Sequence, residues 1–156
     1  MVLEILLTKH MKTKSDIAAE KFLSGYNCAQ AVLYAYSKEL GLDTNVALQM
    51  ACGFGGGIGH RQEMCGALSG AILAIGLKHG RGENQEKALV EETYRRVREL
   101  IDRFEAKHKS HTCSELIGCN FNTPEGQRQF KERDIRNTVC VECVRTAVQV
   151  LEAGLI

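Results

Sequence analysis

Seven cysteines in 156 residues are the first chemistry this chain offers: Cys28, Cys52, Cys65, Cys113, Cys119, Cys140 and Cys143. Four of them fall near expected helix starts. In NCAQAV, Asn27 is a good N-cap and Cys28 the first helical residue. In HTCSEL, Thr112 and Glu115 would form a capping box around Cys113. In RNTVCVEC, Asn137 or Thr138 would cap and Cys140 would lie in the first turn. Cys65 follows the glycine-rich GFGGGIGHRQEM, close to the start of its own helix. The first turn of a helix presents unpaired N–H groups and a partial positive charge, both of which favour a thiolate. Only the thiolate attacks a disulfide or binds a metal. The bland alternative for any one of these residues is a small buried hydrophobe.

Cys140 and Cys143 also form a C-x-x-C, which would put two thiols on one helix face. No βαβ pattern surrounds it, as a thioredoxin-like pair would need, and Val144 stands where haem attachment needs His. The run CGFGGGIGH lacks the spacing of a dinucleotide loop and follows a helix where that fold needs a strand. Its glycines are better explained by positive φ and close approach of backbone to a helix or a cofactor. Gly55, Gly56, Gly57 and Gly66 are the candidates for such a cofactor contact. The histidines form no paired zinc spacing. His60, five residues before Cys65, and His111, two before Cys113, are the two that could act as base, ligand or thiolate stabiliser.

The elements that must position these thiols read as helices. There is one proline, and no stretch alternates with period two. Helices are expected near 14–24, 27–40, 44–52, 62–78, 84–109, 124–134 and 138–153, with a short turn near 113–117. Val90, Tyr94, Val97, Ile101 and Phe104 form one apolar stripe, and Val144, Ala147, Val148 and Leu151 another. Gly66 and Gly70, with Ala67, Ala71 and Ala74, would let a neighbouring helix approach closely. The prediction is a single all-α domain over 1–156, a multi-helix bundle around a central Gly/Ala-rich helix, with residues 1–13 as an N-terminal extension. A formal charge of +1 gives no pointer to nucleic acid or an anionic surface. The longest apolar run, 64–77, is too short to span a bilayer, and the N-terminus is a poor signal peptide. A cytoplasmic protein is expected, and there seven cysteines suggest metal or redox chemistry more than a disulfide framework.

Taken in order, NCAQAVL, GFGGGIG, CGALSGA, CSELIG and a late Cys followed by VRTAV resemble the family named for its C-GCAxxG-C-C pattern, to which a redox role is ascribed. The resemblance spans about 16–151, with the hallmark at Cys65-Gly66-Ala67-Leu68-Ser69-Gly70. It implies that Cys28, Cys65, Cys113 and Cys140 form the working set, leaving Cys52, Cys119 and Cys143 outside it. The non-haem part of split-Soret cytochrome c is also similar, and that protein is described as carrying an iron–sulfur centre. The readings that remain open are dithiol–disulfide or electron-transfer chemistry, a Cys₄ iron–sulfur cluster or zinc site, and a structural role with cysteines as filler. The first expects Cys65 within reach of the other three and at least one exposed, acidified thiol. An unidentified redox partner and a homodimer through an apolar helix face complete the expectations.

Overall fold

Side-chain caps fix where the first helices begin. The structure, a computed structural model, describes residues 11–156. Most of the expected N-terminal extension therefore lies outside the described residues. Thr13 and Asp16 close a capping box at the start of α1 (Lys14–Leu23), and Gly25 ends the run at φ +113°. Asn27 caps α2 (Cys28–Ser37), and Gln30 answers it to complete a second box. Asp43 caps α3 (Thr44–Ala51), which runs into a 3₁₀ turn at Cys52–Phe54. After the glycine loop come α4 (Gly66–His79), α5 (Ala88–His108), the short α6 (Cys113–Ile117), α7 (Pro124–Glu132) and α8 (Val141–Val150). The fold is all-α: eight α-helices and no strand among the described residues, with one isolated bridge between Met64 and Thr112.

α4 is the buried centre. Ala67, Leu68, Ala71, Ala74 and Ile75 are fully buried, and its small residues let α2 come in close. A Cβ on Gly70 would stand 2.5 Å from the Ala29 carbonyl oxygen and 3.0 Å from its Cα. The expected small-residue strip is therefore a seat for the α2 backbone. Gly70→Ala gains about 1 kcal/mol of helix propensity but must push two backbones apart. Overpacking of that kind costs about 1–3 kcal/mol. A net loss is expected, seen as a lower urea midpoint with an unchanged m-value.

On α8, Val144, Ala147, Val148 and Leu151 are all fully buried, as their spacing predicts. On α5 the apolar stripe differs from the expected one. Leu100 and Phe104 are buried, whereas Tyr94 is 54% exposed. The solvent side of α5 carries a ladder of ion pairs, Glu92–Arg95, Arg95–Glu99 and Glu99–Arg103. Exposed pairs of this kind are screened by water and salt, so the ladder decorates the helix and does not anchor it.

Two helix starts also differ. α5 begins at Ala88, after a turn in which Asn84 takes φ +59° and so cannot open the helix itself. α4 begins at Gly66 and not near 62, because residues 62–65 are pulled into extended pairing with 111–114. Cys65 N–H donates to the His111 carbonyl (2.8 Å), Cys113 N–H to the Glu63 carbonyl (2.6 Å) and Ser114 N–H to the Gln62 carbonyl (3.1 Å). This short tie sets Cys65 and Cys113 side by side. No described helix is long and apolar enough to cross a membrane.

Candidate functional site

Cys28, Cys65, Cys113, Cys140 and Cys143 line one cavity of about 160 Å³. Four separate elements deliver them. Cys28 is the first residue of α2, Cys65 the residue capping α4, and Cys113 the first residue of α6. Cys140 and Cys143 come from the α8 region. Three of the four expected helix-start positions therefore stand. Cys140 is a correction: the helix is continuous from Arg136, opening with a π-helical turn at Arg136–Cys140, and neither Asn137 nor Thr138 caps it. Thr138 instead donates its hydroxyl to the Asp134 carbonyl, and Asn137 bonds the Asp134 carboxylate. The wide turn places Cys140 at the end of its fifth residue, beside the others. Such π turns recur at functional sites because they re-aim a side chain within a helix.

The capping box expected at α6 is also absent. Thr112 makes no side-chain cap bond, because Glu115 takes the Ser110 hydroxyl and Ser110 Oγ in turn accepts the Thr112 N–H. α6 is instead held by the extended tie to 62–64.

The glycine loop works as a spacer. Five successive residues, Gly56, Gly57, Ile58, Gly59 and His60, have φ between +57° and +70°, a left-handed turn. An L-residue with a side chain loses about 1–2 kcal/mol in that region, so three glycines among five keep the turn affordable. The turn lays backbone against the cysteines. A Cβ on Gly57 would stand 2.7 Å from the Cys113 Cβ, and one on Gly66 3.1 Å from the Cys28 Cβ. Gly56, Gly57 and Gly66 line the cavity. Gly55 packs under the Asn27 side chain, 2.6 Å from Nδ2 by the same measure.

Gln62, to which the sequence gives no signal, locks the turn in place. It is buried at φ +59°; its Nε2 donates to the Cys119 carbonyl and its Oε1 accepts the Phe121 N–H, both at 2.8 Å. Arg136 is a second residue that spacing did not reveal. Its guanidinium lies over the Phe22 ring, 4.1 Å from the centroid, and donates to the Phe22 carbonyl while lining the cavity. His60 lines the cavity too, with its ring 5.0 Å from that of Phe121. His111 does not serve Cys113: its Nδ1 pairs with Glu105, and only its carbonyl reaches the site, through Cys65 N–H. Cys119 lies across the Gln62 wall, in a polar cleft with Arg61 and Ser114, and Cys52 is exposed.

The electrostatics separate one thiol from the rest. Cys65 is held below the ordinary thiol value, chiefly by the Cys143 thiol and further by the backbone N–H groups at the start of α4. Burial pushes Cys28 well up, and its cysteine neighbours add to the shift. Burial and the nearness of Cys65 push Cys113 and Cys140 up to about 12 each. Cys143 is raised strongly, by Cys65 and by burial. Helix-start acidification thus operates at one position of four, because burial outweighs it elsewhere. The acidified thiol is also not the exposed one expected, since Cys65 is only 6% exposed.

Chemically, the site is a buried ring of thiols with a space between them. Among the described residues no three His, Cys, Asp or Glu side chains meet closely enough to bind a single metal ion. A tetrahedral zinc needs four sulfurs about 2.3 Å from one point, so the arrangement does not fit mononuclear zinc. A soft, all-thiol donor set spread around a cavity fits a polynuclear iron–sulfur group.

A family model described as "Putative redox-active protein (C_GCAxxG_C_C)" matches residues 26–153. No curated protein and no solved structure matches the chain.

Proposed function

The chain belongs to the C_GCAxxG_C_C family, and on that premise we propose that its thiol-lined cavity is an electron-transfer centre in which Cys28, Cys65, Cys113 and Cys140 hold an iron–sulfur cluster. The observation that carries this reading is the cavity itself: thiols from four elements surround one space. When bound, such a cluster supplies one-electron transfer at a potential set by its charge, its burial and the hydrogen bonds to its sulfurs. The protein's part is to hold the ligands and exclude water. Three raised thiols, Cys28, Cys113 and Cys140, resist ionising one beside another, and an iron cation is what would let them do so together. The glycine turn and the 62–65 tie bring the ligands together without side chains of their own in the way. Phe121 and Phe130, packed edge to face at 5.0 Å, form part of the apolar lining. A reducing cytoplasm suits free, buried thiols, and an electron partner of unidentified nature docks from outside.

One observation favours a second reading. Cys65 is the single acidified thiol and Cys143 is buried with it in the wall of the same cavity, so this pair could cycle between dithiol and disulfide. In that case Cys65 thiolate attacks a partner disulfide, and Cys143 then attacks the Cys65 sulfur and releases the partner as a dithiol.

Purification without oxygen, with iron, sulfide and zinc analysis on one sample, separates the two. Iron and inorganic sulfide in fixed ratio to protein are expected, and both are lost from Cys28→Ser and Cys113→Ser. A colourless, iron-free protein that gains two thiols on reduction would overturn the cluster reading in favour of the pair.

A further inference from the structure

We infer that His60 sets what can reach the thiols: its imidazole is a swinging gate at the mouth of the cavity and selects reactants by size. The inference goes beyond the cluster reading, because it rests on the cavity wall and not on any occupant. Among the described residues that line the cavity, His60 alone is exposed; the others are buried or half-buried. Its side chain therefore touches both the interior space and open solvent.

The closed position has a seat. The ring lies on Gly56, where a Cβ would stand 2.8 Å from the His60 Cδ2 and 2.9 Å from its Cγ. It also meets Phe121, centroid to centroid at 5.0 Å and tilted by 54°, and Phe121 in turn packs edge-on against Phe130. The backbone of His60 is fixed on both sides. Its N–H donates to the Gly55 carbonyl (3.1 Å), and its carbonyl accepts from the Asn122 side-chain Nδ2 (2.8 Å). The imidazole itself makes no hydrogen bond among the described residues, so swinging it out breaks packing contacts alone. The residue holds φ +63°, a conformation that glycine takes freely and that residues with a side chain seldom adopt. Strain of this kind, kept at a position whose ring closes a cavity, marks a side chain that is used.

The test is alkylation of the reduced protein, purified without oxygen, by a small reagent (iodoacetamide) and a bulky one (fluorescein maleimide). Each cysteine is followed by peptide mass spectrometry, and its rate is divided by that of the exposed Cys52 in the same sample. His60→Gly removes the ring and relaxes the left-handed backbone, so it opens the mouth without adding strain. His60→Phe keeps a ring on the same seat. At Cys113 and Cys140 the bulky reagent should react about tenfold faster in His60→Gly than in the wild type, the factor that one ring contact can hold closed. The small reagent should gain much less, and His60→Phe should match the wild type with both. General loosening of the fold admits both reagents alike, so a gain independent of size would overturn the proposal. Equal rates in the wild type and His60→Gly would overturn it too. If the protein purifies with iron, the bulky chelator bathophenanthroline disulfonate should strip that iron about tenfold faster from His60→Gly. Equal stripping would sink the gate and leave the cluster reading intact. A protein without iron sinks the cluster reading, and the alkylation rates then decide the gate.

Discussion

Gly57→Ala is expected to cost about 2–5 kcal/mol and to lose the iron that the proposed cluster would hold, although it adds one methyl group. Two effects compound. The residue takes φ +70°, where an L-side chain loses about 1–2 kcal/mol. The new Cβ would also stand 2.7 Å from the Cys113 Cβ, from the Gln62 Cα and from the Glu63 N. Two of those three atoms are backbone, held by the bonds that tie 62–65 to 111–114, so neither can rotate aside. Relieving the contact requires the tie to move, and Cys113 moves with it. Against a total stability of about 5–15 kcal/mol this is a large fraction. Gly59→Ala provides the control. Gly59 sits in the same left-handed turn at φ +57°, but a Cβ there meets nothing within 4 Å. It should lose only the conformational part, about 1–2 kcal/mol, and retain the anaerobic iron content of the wild type. Chemical denaturation gives the stabilities and iron analysis the second readout. Equal losses in the two variants would mean that the turn tolerates the methyl group, and that backbone packing against Cys113 is not what positions it.

The contrast between those two glycines marks the boundary of what was legible in the residues. Helix starts set by a local side chain were readable: Asn27 before Cys28 needs no tertiary information, and the buried stripe of α8 follows from spacing alone. The close approach of α2 to α4 was readable too, since Gly and Ala at helical spacing have few other uses. The C-x-x-C gave a hint of Cys143, because two thiols three apart share a helix face. What was not readable depends on contacts between distant segments. The extended tie between 62–65 and 111–114 shortens α4 and displaces the Thr112–Glu115 cap, yet neither segment alternates as a strand would. The π turn at Arg136–Cys140 moves Cys140 by one residue's worth of rotation, with no residue type to announce it. Tyr94 fits the spacing of the α5 stripe but not its direction, because a helix's buried face is chosen by its neighbours. A small buried hydrophobe is one reading of any cysteine in the sequence, but the extent of burial at these thiols is not written there. A helix start acidifies a cysteine by local geometry, and only the packed structure reveals that desolvation outweighs it at Cys28, Cys113 and Cys140.

That burial makes the metal-free protein expected to be alkali-sensitive, and the iron-loaded one much less so. Cys113 and Cys140 have folded pKa values near 12 against an ordinary 9.0, and Cys28 is raised as well. A thiol whose pKa is raised by folding contributes its full stabilisation below the unfolded value. That stabilisation is lost as pH rises from about 9 towards 12, because the unfolded chain releases its proton first. Each such group costs about 1.4 kcal/mol per pH unit in that window. Cys113 and Cys140 together give about 3 kcal/mol per unit, somewhat less for the share of Cys113 that water reaches. Cys65, lowered in the fold, works in the opposite sense: it stabilises above the unfolded pKa and is lost as pH falls. One lowered thiol does not offset four raised ones, Cys143 among them, so the net slope above pH 9 is downward. The urea midpoint, followed by far-ultraviolet circular dichroism at successive pH values, should therefore fall steeply between pH 9 and 11. In the Cys28→Ser, Cys113→Ser, Cys140→Ser triple variant the fall should be much shallower. Every other ionisable side chain, including Tyr36, whose phenol burial pushes up, is common to both proteins, so the difference isolates the thiols. Loading with iron should flatten the slope as well, since ligand thiols are deprotonated before the pH is raised. Identical slopes for the metal-free wild type and the triple variant would show that water reaches these sulfurs freely. The cavity would then be too wet to serve as the buried centre proposed for it.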